Sequence, residues 1–380
     1  QYFGQKDEEG IRQTFRYKFW MALILTLGAV LLLLGTGENL VQMYLNGSSD
    51  GGNLEAALQY GTDYLYVMLL GLPAFMAVQI YVSTLRECGE TVLPMKAGIA
   101  AVAVNLCLNY LLIYGKAGLP VLGVVGAAIA TRYVEAAIVI LWTHRHKERN
   151  PYITGVYSTF KVPLHLTGKF FMKGAPLLIN ETLWSAGMAM LVQCYSVRGL
   201  SVIAGLNIAN TINNVFNVIF IAMGDAVAII IGQLLGAGKM EEARDTDNKI
   251  IAFSVVCCMG VALLMACIAP LFPQIYKTGD EVKAVAVQFI LAQAVFMPQA
   301  AFMHAAYFTL RSGGKTIVTF LFDSVFVWCV SVPVAYALSR LTAMPVIAIF
   351  AMVQIADWIK CFIGFVLVKK GVWLQNIVAK

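Results

Sequence analysis

Four carboxylates stand inside long apolar runs between residues 174 and 380 of this 380-residue chain: Glu181, Asp225, Asp323 and Asp357. Glu135 is a fifth, in the first half. Burial disfavours the charged form of a carboxylate, so a group of this kind holds a proton, a metal ion or a basic partner. One that takes up a cation in one state and releases it in another can couple two movements across a membrane. Glu181 is the first candidate, in the stretch Pro176-Leu177-Leu178-Ile179-Asn180-Glu181-Thr182-Leu183-Trp184. The next run carries Asn207, Asn210, Asn214 and Asn217, at steps of three, four and three. Helical geometry puts these four on one face, with Asn213 about 100° away. Amides in lipid need partners, so the face is expected to point inward, either bonding helix to helix or lining a cation or substrate cavity. Asp225 lies further along this run. Asp323, Asp357 and Lys360 fall in the last two runs, and Asp357 and Lys360, three apart, are expected to pair.

The elements that must hold these groups are membrane spans. The chain is 59% hydrophobic and 13% charged, with a mean hydropathy of +0.75, whereas a soluble domain is nearer half apolar and a quarter charged. A spanning helix needs roughly 20 mostly apolar residues. Ten candidates satisfy this, near 17–36, 58–84, 92–114, 121–143, 174–197, 201–235, 249–276, 284–309, 316–339 and 344–368. If the first residues are cytoplasmic, the inside segments hold twenty Lys and Arg and the outside segments five. Positive residues collect on the cytoplasmic side, so both termini of the chain are expected there. The net charge of +6 is thereby accounted for without nucleic acid. The eight cysteines show no C-x-x-C, the four histidines no H-E-x-x-H, and no phosphate loop or catalytic dyad supports a membrane enzyme. No cofactor is expected.

The chain also repeats itself. Residues 84–91 read Thr-Leu-Arg-Glu-Cys-Gly-Glu-Thr and residues 309–316 read Thr-Leu-Arg-Ser-Gly-Gly-Lys-Thr, an offset of 225 that Pro73 and Pro298 share. Gln1, Gly4, Glu9, Arg12 and Thr14 match Gln233, Gly236, Glu241, Arg244 and Thr246 at an offset of 232, as Tyr44 matches Tyr276. One longer polar loop in the first copy, Asn46-Gly47-Ser48-Ser49-Asp50-Gly51-Gly52-Asn53, reconciles the two offsets. Both copies of each motif fall on the cytoplasmic side, so the repeats are parallel, related by an axis along the membrane normal. The expected organisation is a first lobe over 1–143, a basic cytoplasmic connector over 144–173 and a second lobe over 174–380. Two helices precede Gln233, and two are accordingly expected upstream of its counterpart Gln1. A chain lacking them would leave the first lobe with an open wall, and a non-transporting fragment is one reading.

Several segments resemble the multidrug and toxic compound extrusion (MATE) family. Ile231-Gly232-Gln233-Leu234-Leu235-Gly236-Ala237-Gly238 resembles the family signature after its eighth helix, and Gln1-Tyr2-Phe3-Gly4 the tail of the same signature after the second. Asn109-Tyr110-Leu111-Leu112-Ile113-Tyr114-Gly115 and Pro120-Val121-Leu122-Gly123-Val124-Val125-Gly126-Ala127-Ala128-Ile129-Ala130-Thr131 resemble its fifth-to-sixth helix segment. The resemblance implies an all-α integral membrane protein of two six-helix lobes, ten helices here. It implies a sodium- or proton-coupled antiporter, monomeric in the cell membrane, that exports small organic cations by alternating access and contacts no partner but lipid. It places a functional Glu in the helix of Glu181. The sequence departs from the NorM-type pattern in its tenth helix, where counting back from Arg311 to that pattern's Asp lands on Ala300, beside Gln299. Gln299, His304, Asp323 and Asp357 are secondary candidates. Phe75, Met76, Phe296, Met297 and Met303, near Pro73 and Pro298, suit a bulky cation through ring and thioether contacts. Each proline is expected to bend its helix and serve the conformational change. A lipid-linked oligosaccharide flippase of the same superfamily is the alternative. It would favour a basic cavity, whereas Arg132 and Lys360 are the intramembrane cations here.

Overall fold

A computed structural model describes residues 1–45, 54–113, 115 and 123–378. The Asn46–Asn53 loop, Tyr114, Lys116, the Pro120–Leu122 part of the fifth-to-sixth helix motif and Lys380 lie outside them. The described residues are helical, with short connections. Among the described residues, eight helices are long and apolar enough to cross a membrane, and nine if a bent pair counts as one span. The helix Gly123–Arg145 occupies the place of the remaining expected span, but carries Arg132 and Glu135 mid-length. The chain divides into two compact units, Asp7–Leu164 and His165–Lys380 with Gln1–Lys6.

The first unit holds α1 (Glu8–Leu45), α2 (Leu54–Leu69), α3 (Leu72–Glu87), α4 (Val92–Ile113) and α5 (Gly123–Arg145). The Asp7 carboxylate accepts from the Gly10 N–H at 2.9 Å, and Glu8 and Glu9 fill the first turn of α1, where the helix dipole favours acids. Pro73 sits in the first turn of α3, and α2 meets α3 at 42° across the break before it. A proline lacking its N–H costs nothing in a first turn, so the bend falls there. Arg132 pairs with Glu135 at 3.2 Å and lies 5.4 Å from the Phe75 ring. Residues 151–160 lie across α1. Arg16, buried, donates to the Val156 and Gly155 carbonyls at 2.8 and 2.9 Å, and Trp20 donates to the Phe160 carbonyl at 2.9 Å. The polar stretch after α5 thus packs on its own unit, and the helix of the next unit starts at Leu164.

The second unit holds α6 (Leu164–Ser196), α7 (Leu200–Gly236), α8 (Met240–Ile268), α9 (Asp280–Ser312), α10 (Thr316–Phe320), α11 (Val332–Leu341) and α12 (Val346–Lys369). Between α10 and α11 the span continues as two π-helical turns, Leu321–Val325 and Val327–Ser331. α9 is central and packs against α7, α8 and α12. Phe289, Ile290, Met297 and Ile349 are buried at its contacts. α9 runs through Pro298 as one continuous helix.

The repeated motifs are helix ends. After α3 the Glu90 N–H bonds the Leu85 carbonyl at 2.9 Å, and after α9 the Lys315 N–H bonds the Leu310 carbonyl at 3.1 Å. The shared glycine of each copy, Gly89 and Gly314, has φ of 84° and 72°. That left-handed turn is why T-L-R-x-x-G needs glycine there. The other repeat closes on itself. A Cβ on Gly4 would lie 2.0 Å from the Gln233 carbonyl oxygen, and one on Gly236 2.0 Å from the Gln1 carbonyl oxygen. Gln1 matches Gln233 and Gly4 matches Gly236, so the two copies touch reciprocally. Gly236→Ala is expected to force these backbones apart and destabilise the protein by roughly 1–3 kcal/mol, the usual cost of overpacking, read as a lower thermal midpoint in detergent.

Candidate functional site

The second unit holds a half-open cavity of about 530 Å3. α6 contributes Glu181 and Trp184, α7 contributes Asn210, Asn213 and Asn217, and α9 contributes Phe296, Met297, Met303, His304 and Tyr307. Asp323 enters from the first π turn, and Asp357 and Lys360 from α12. Apolar walls with a few convergent polar groups are what a small-molecule site needs.

Charge organises one wall. The Lys360 ammonium lies 3.0 Å from Asp323 Oδ1 and within 5.7 and 5.8 Å of the Phe322 and Phe326 rings. The lysine side chain is 8% exposed and that of Asp323 19%, so this is a buried pair, where loss of one partner is costly. The expected Asp357–Lys360 pair does not form. Asp357 accepts from Ser331 Oγ at 3.2 Å, while Lys360 reaches across to the neighbouring span. The π turns carry Asp323, the partner of Lys360, and Ser331, the partner of Asp357, towards α12. A wider turn re-aims side chains, and such turns recur at functional positions.

Asn180, buried, joins this wall to Glu181. Its Nδ2 donates to Asp323 Oδ2 at 3.1 Å and to the Tyr307 hydroxyl at 3.3 Å. Its Oδ1 accepts from the Ser324 backbone N–H at 3.3 Å and from Ser324 Oγ at 2.7 Å. A backbone N–H can only donate, so the amide orientation is fixed by chemistry. Tyr307 in turn donates to Glu181 Oε1 at 3.4 Å. The chain of contacts therefore runs Glu181, Tyr307, Asn180, Asp323, Lys360. Glu181 is exposed and the others are buried or half-buried.

The asparagine face is placed differently from its expected phase. Asn210 and Asn217 line the cavity, Asn207 and Asn214 are exposed, and Asn213 takes their place. α7 is simply rotated so that the 210, 213, 217 stripe faces α9, where Gln293 Nε2 donates to Asn210 Oδ1 at 3.0 Å. Asp225 lies outside the cavity lining. Gln299, buried, donates to the Gln354 carbonyl of α12 at 2.9 Å and does not line it either. His304 does, 4.9 Å from the Phe220 ring, edge to face. Phe296, Met297 and Met303 are lining residues, whereas Phe75 and Met76 belong to the first unit. Sequence reading missed Asn213, Tyr307 and Ser324. The asparagine was detectable by testing the second helical phase, but neither hydroxyl had a pattern to mark it. No cluster of metal-ligating side chains occurs among the described residues.

The model of the MatE family matches residues 1–111 and 176–337. The multidrug resistance protein MdtK of Pectobacterium atrosepticum is 26% identical over 342 residues, 88% of this chain and 72% of the relative. A probable multidrug resistance protein, NorM of Mannheimia succiniciproducens, is 26% identical over 341 residues, 89% and 71% respectively. Among solved structures, an outward-facing multidrug resistance MATE family transporter superposes with a TM-score of 0.86 at 18% identity, over 98% of this chain and 81% of that one. A MOP superfamily transporter from Pyrococcus furiosus, whose study describes a reversed polarity of its binding pocket, gives 0.84 at 18% identity with the same coverage.

Asn180→Ala removes donors to Asp323 and Tyr307 and leaves the Ser324 N–H without its acceptor. A loss of roughly 1–3 kcal/mol per stranded buried group is the usual scale, so the thermal midpoint is expected to fall clearly, while exposed Asn207→Ala leaves it unchanged.

Proposed function

Because this chain belongs to the MatE family of membrane transporters, we propose that it exports small organic cations from the cytoplasm in exchange for a proton or a sodium ion. The observation that carries this reading is the cavity of the second unit, where aromatic and methionine walls surround Glu181, Asp323 and Asp357. Rings and thioethers accommodate lipophilic cations of varied shape, and carboxylates supply the opposite charge. Relatives termed multidrug resistance proteins support a broad set of small organic substrates.

Glu181 is the coupling group in this reading. It sits exposed beside Trp184 and takes a hydrogen bond from Tyr307, so a proton or ion arriving there meets a partly satisfied carboxylate. Antiport follows if coupling ion and organic cation compete for the same acids, because each then favours a different state. Asn210, Asn213 and Asn217 supply uncharged contacts. Pro73, at the 42° break between α2 and α3, is the proposed flexing point of the first unit, and Pro298, one residue after the cavity-lining Met297, its counterpart in α9. The protein works as a monomer in the cell membrane with both termini of this chain cytoplasmic, an orientation supported by the distribution of Lys and Arg.

Glu181→Gln removes the titratable oxygen while keeping shape and hydrogen bonding. Efflux of a fluorescent organic cation from cells is expected to fall by at least about tenfold, with the protein still inserted at normal levels. Retained ion-driven efflux in that variant would overturn the assignment of Glu181.

A further inference from the structure

Lys360 occupies a place built to hold a cation. One carboxylate oxygen of Asp323 lies 3.0 Å from its ammonium, and two aromatic rings, Phe322 and Phe326, flank it at under 6 Å. A carboxylate with aromatic faces is the usual receptor for an ammonium group, and here the ligand is covalently part of the protein. A lysine within a spanning helix costs roughly 3 kcal/mol on insertion scales. The surroundings explain how that cost is offset, but a leucine would avoid it altogether.

The other side of Asp323 also meets an N–H donor rather than oxygens. Alkali and alkaline-earth cations are held by oxygens. Asn180 turns its nitrogen to Asp323 Oδ2, while its oxygen is held by the Ser324 N–H and Oγ. Both carboxylate oxygens therefore face N–H donors. The titratable groups around this wall are Glu181 and Tyr195 of α6, His304 and Tyr307 of α9, Asp323 itself, and Asp357, Lys360 and Cys361 of α12. α7 lines the cavity with asparagines.

We infer that Lys360 sets the ion selectivity of the cavity, its ammonium filling the position beside Asp323 that a sodium ion would otherwise take, so that this lobe is coupled to protons. The inference rests on the proposed ion-coupled export for its consequence, but not for its binding test. Purified protein is melted in sodium chloride and in equal potassium chloride. The unaltered protein is expected to show no sodium-specific rise in melting temperature. Lys360→Met, which keeps length and apolar bulk, is expected to gain one, and Lys360→Met combined with Asp323→Asn is expected to lose it again. Lys360→Arg keeps the charge and is expected to remain insensitive to sodium. A sodium-specific rise in the unaltered protein overturns the inference, as does a folded Lys360→Met with none. Should Lys360→Met fail to fold, the unaltered protein decides in vesicles. Efflux of ethidium driven by a proton gradient alone supports the inference, and efflux driven by a sodium gradient with pH clamped overturns it. Vesicles that move ethidium under neither gradient count against the export reading, and the melting comparison of the unaltered protein still decides the inference.

Discussion

A charge carried into a membrane helix has to be answered by another group, and the second unit is arranged around one such answer. Lys360 on α12 faces Asp323 on the π-helical turn, and Asn180 on α6 holds the carboxylate from its other side. Three helical elements are thereby fixed to one another by groups that have no alternative partner in lipid. The π turns fit this demand. They place Asp323 towards Lys360, Ser324 towards Asn180 and Ser331 towards Asp357. The same contacts leave Glu181 at the outer end of the chain, tied only through Tyr307. The pair is thus the fixed point of the cavity and Glu181 its accessible end.

Backbone geometry does comparable work at the helix ends. The duplicated T-L-R-x-x-G-x-T encodes a helix stop, with Gly89 and Gly314 both in the left-handed region. The Gln-x-x-Gly element encodes a close approach, since Gly4 and Gly236 each lie against the carbonyl of the other copy's glutamine. In lipid, where water offers helices little drive to associate, close contact through small residues is a principal means of packing. This is why the repeat is legible as short glycine-bearing motifs.

Much of the site was legible and its phase was not. The apolar runs located the helices, and the rarity of charge within them pointed to Glu181, Asp323, Asp357 and Lys360. Choosing between Asn207 with Asn214 and Asn213 needed the rotation of α7, which a run of apolar residues on nearly every side does not encode. Local spacing suggested Asp357 for Lys360, but an i, i+3 pair gains only a few tenths of a kcal/mol, less than a buried interhelical carboxylate offers. Pro73 and Pro298 sit at different places in their helices. The first-turn position of Pro73 lets the chain break before it, whereas α9 is packed against neighbours on several sides and stays whole.

The amino-acid order by itself determined the membrane class, the parallel duplication, the family and the set of residues that could carry charge into the bilayer. These follow from composition, period and the conformational needs of glycine, which act locally along the chain. Which acid meets the lysine, which amide face lines the cavity and which way Asn180 points were decided only by the tertiary structure. Those choices depend on the rotation and depth of each helix against the others, and in a uniformly apolar segment only contact with neighbouring helices settles them.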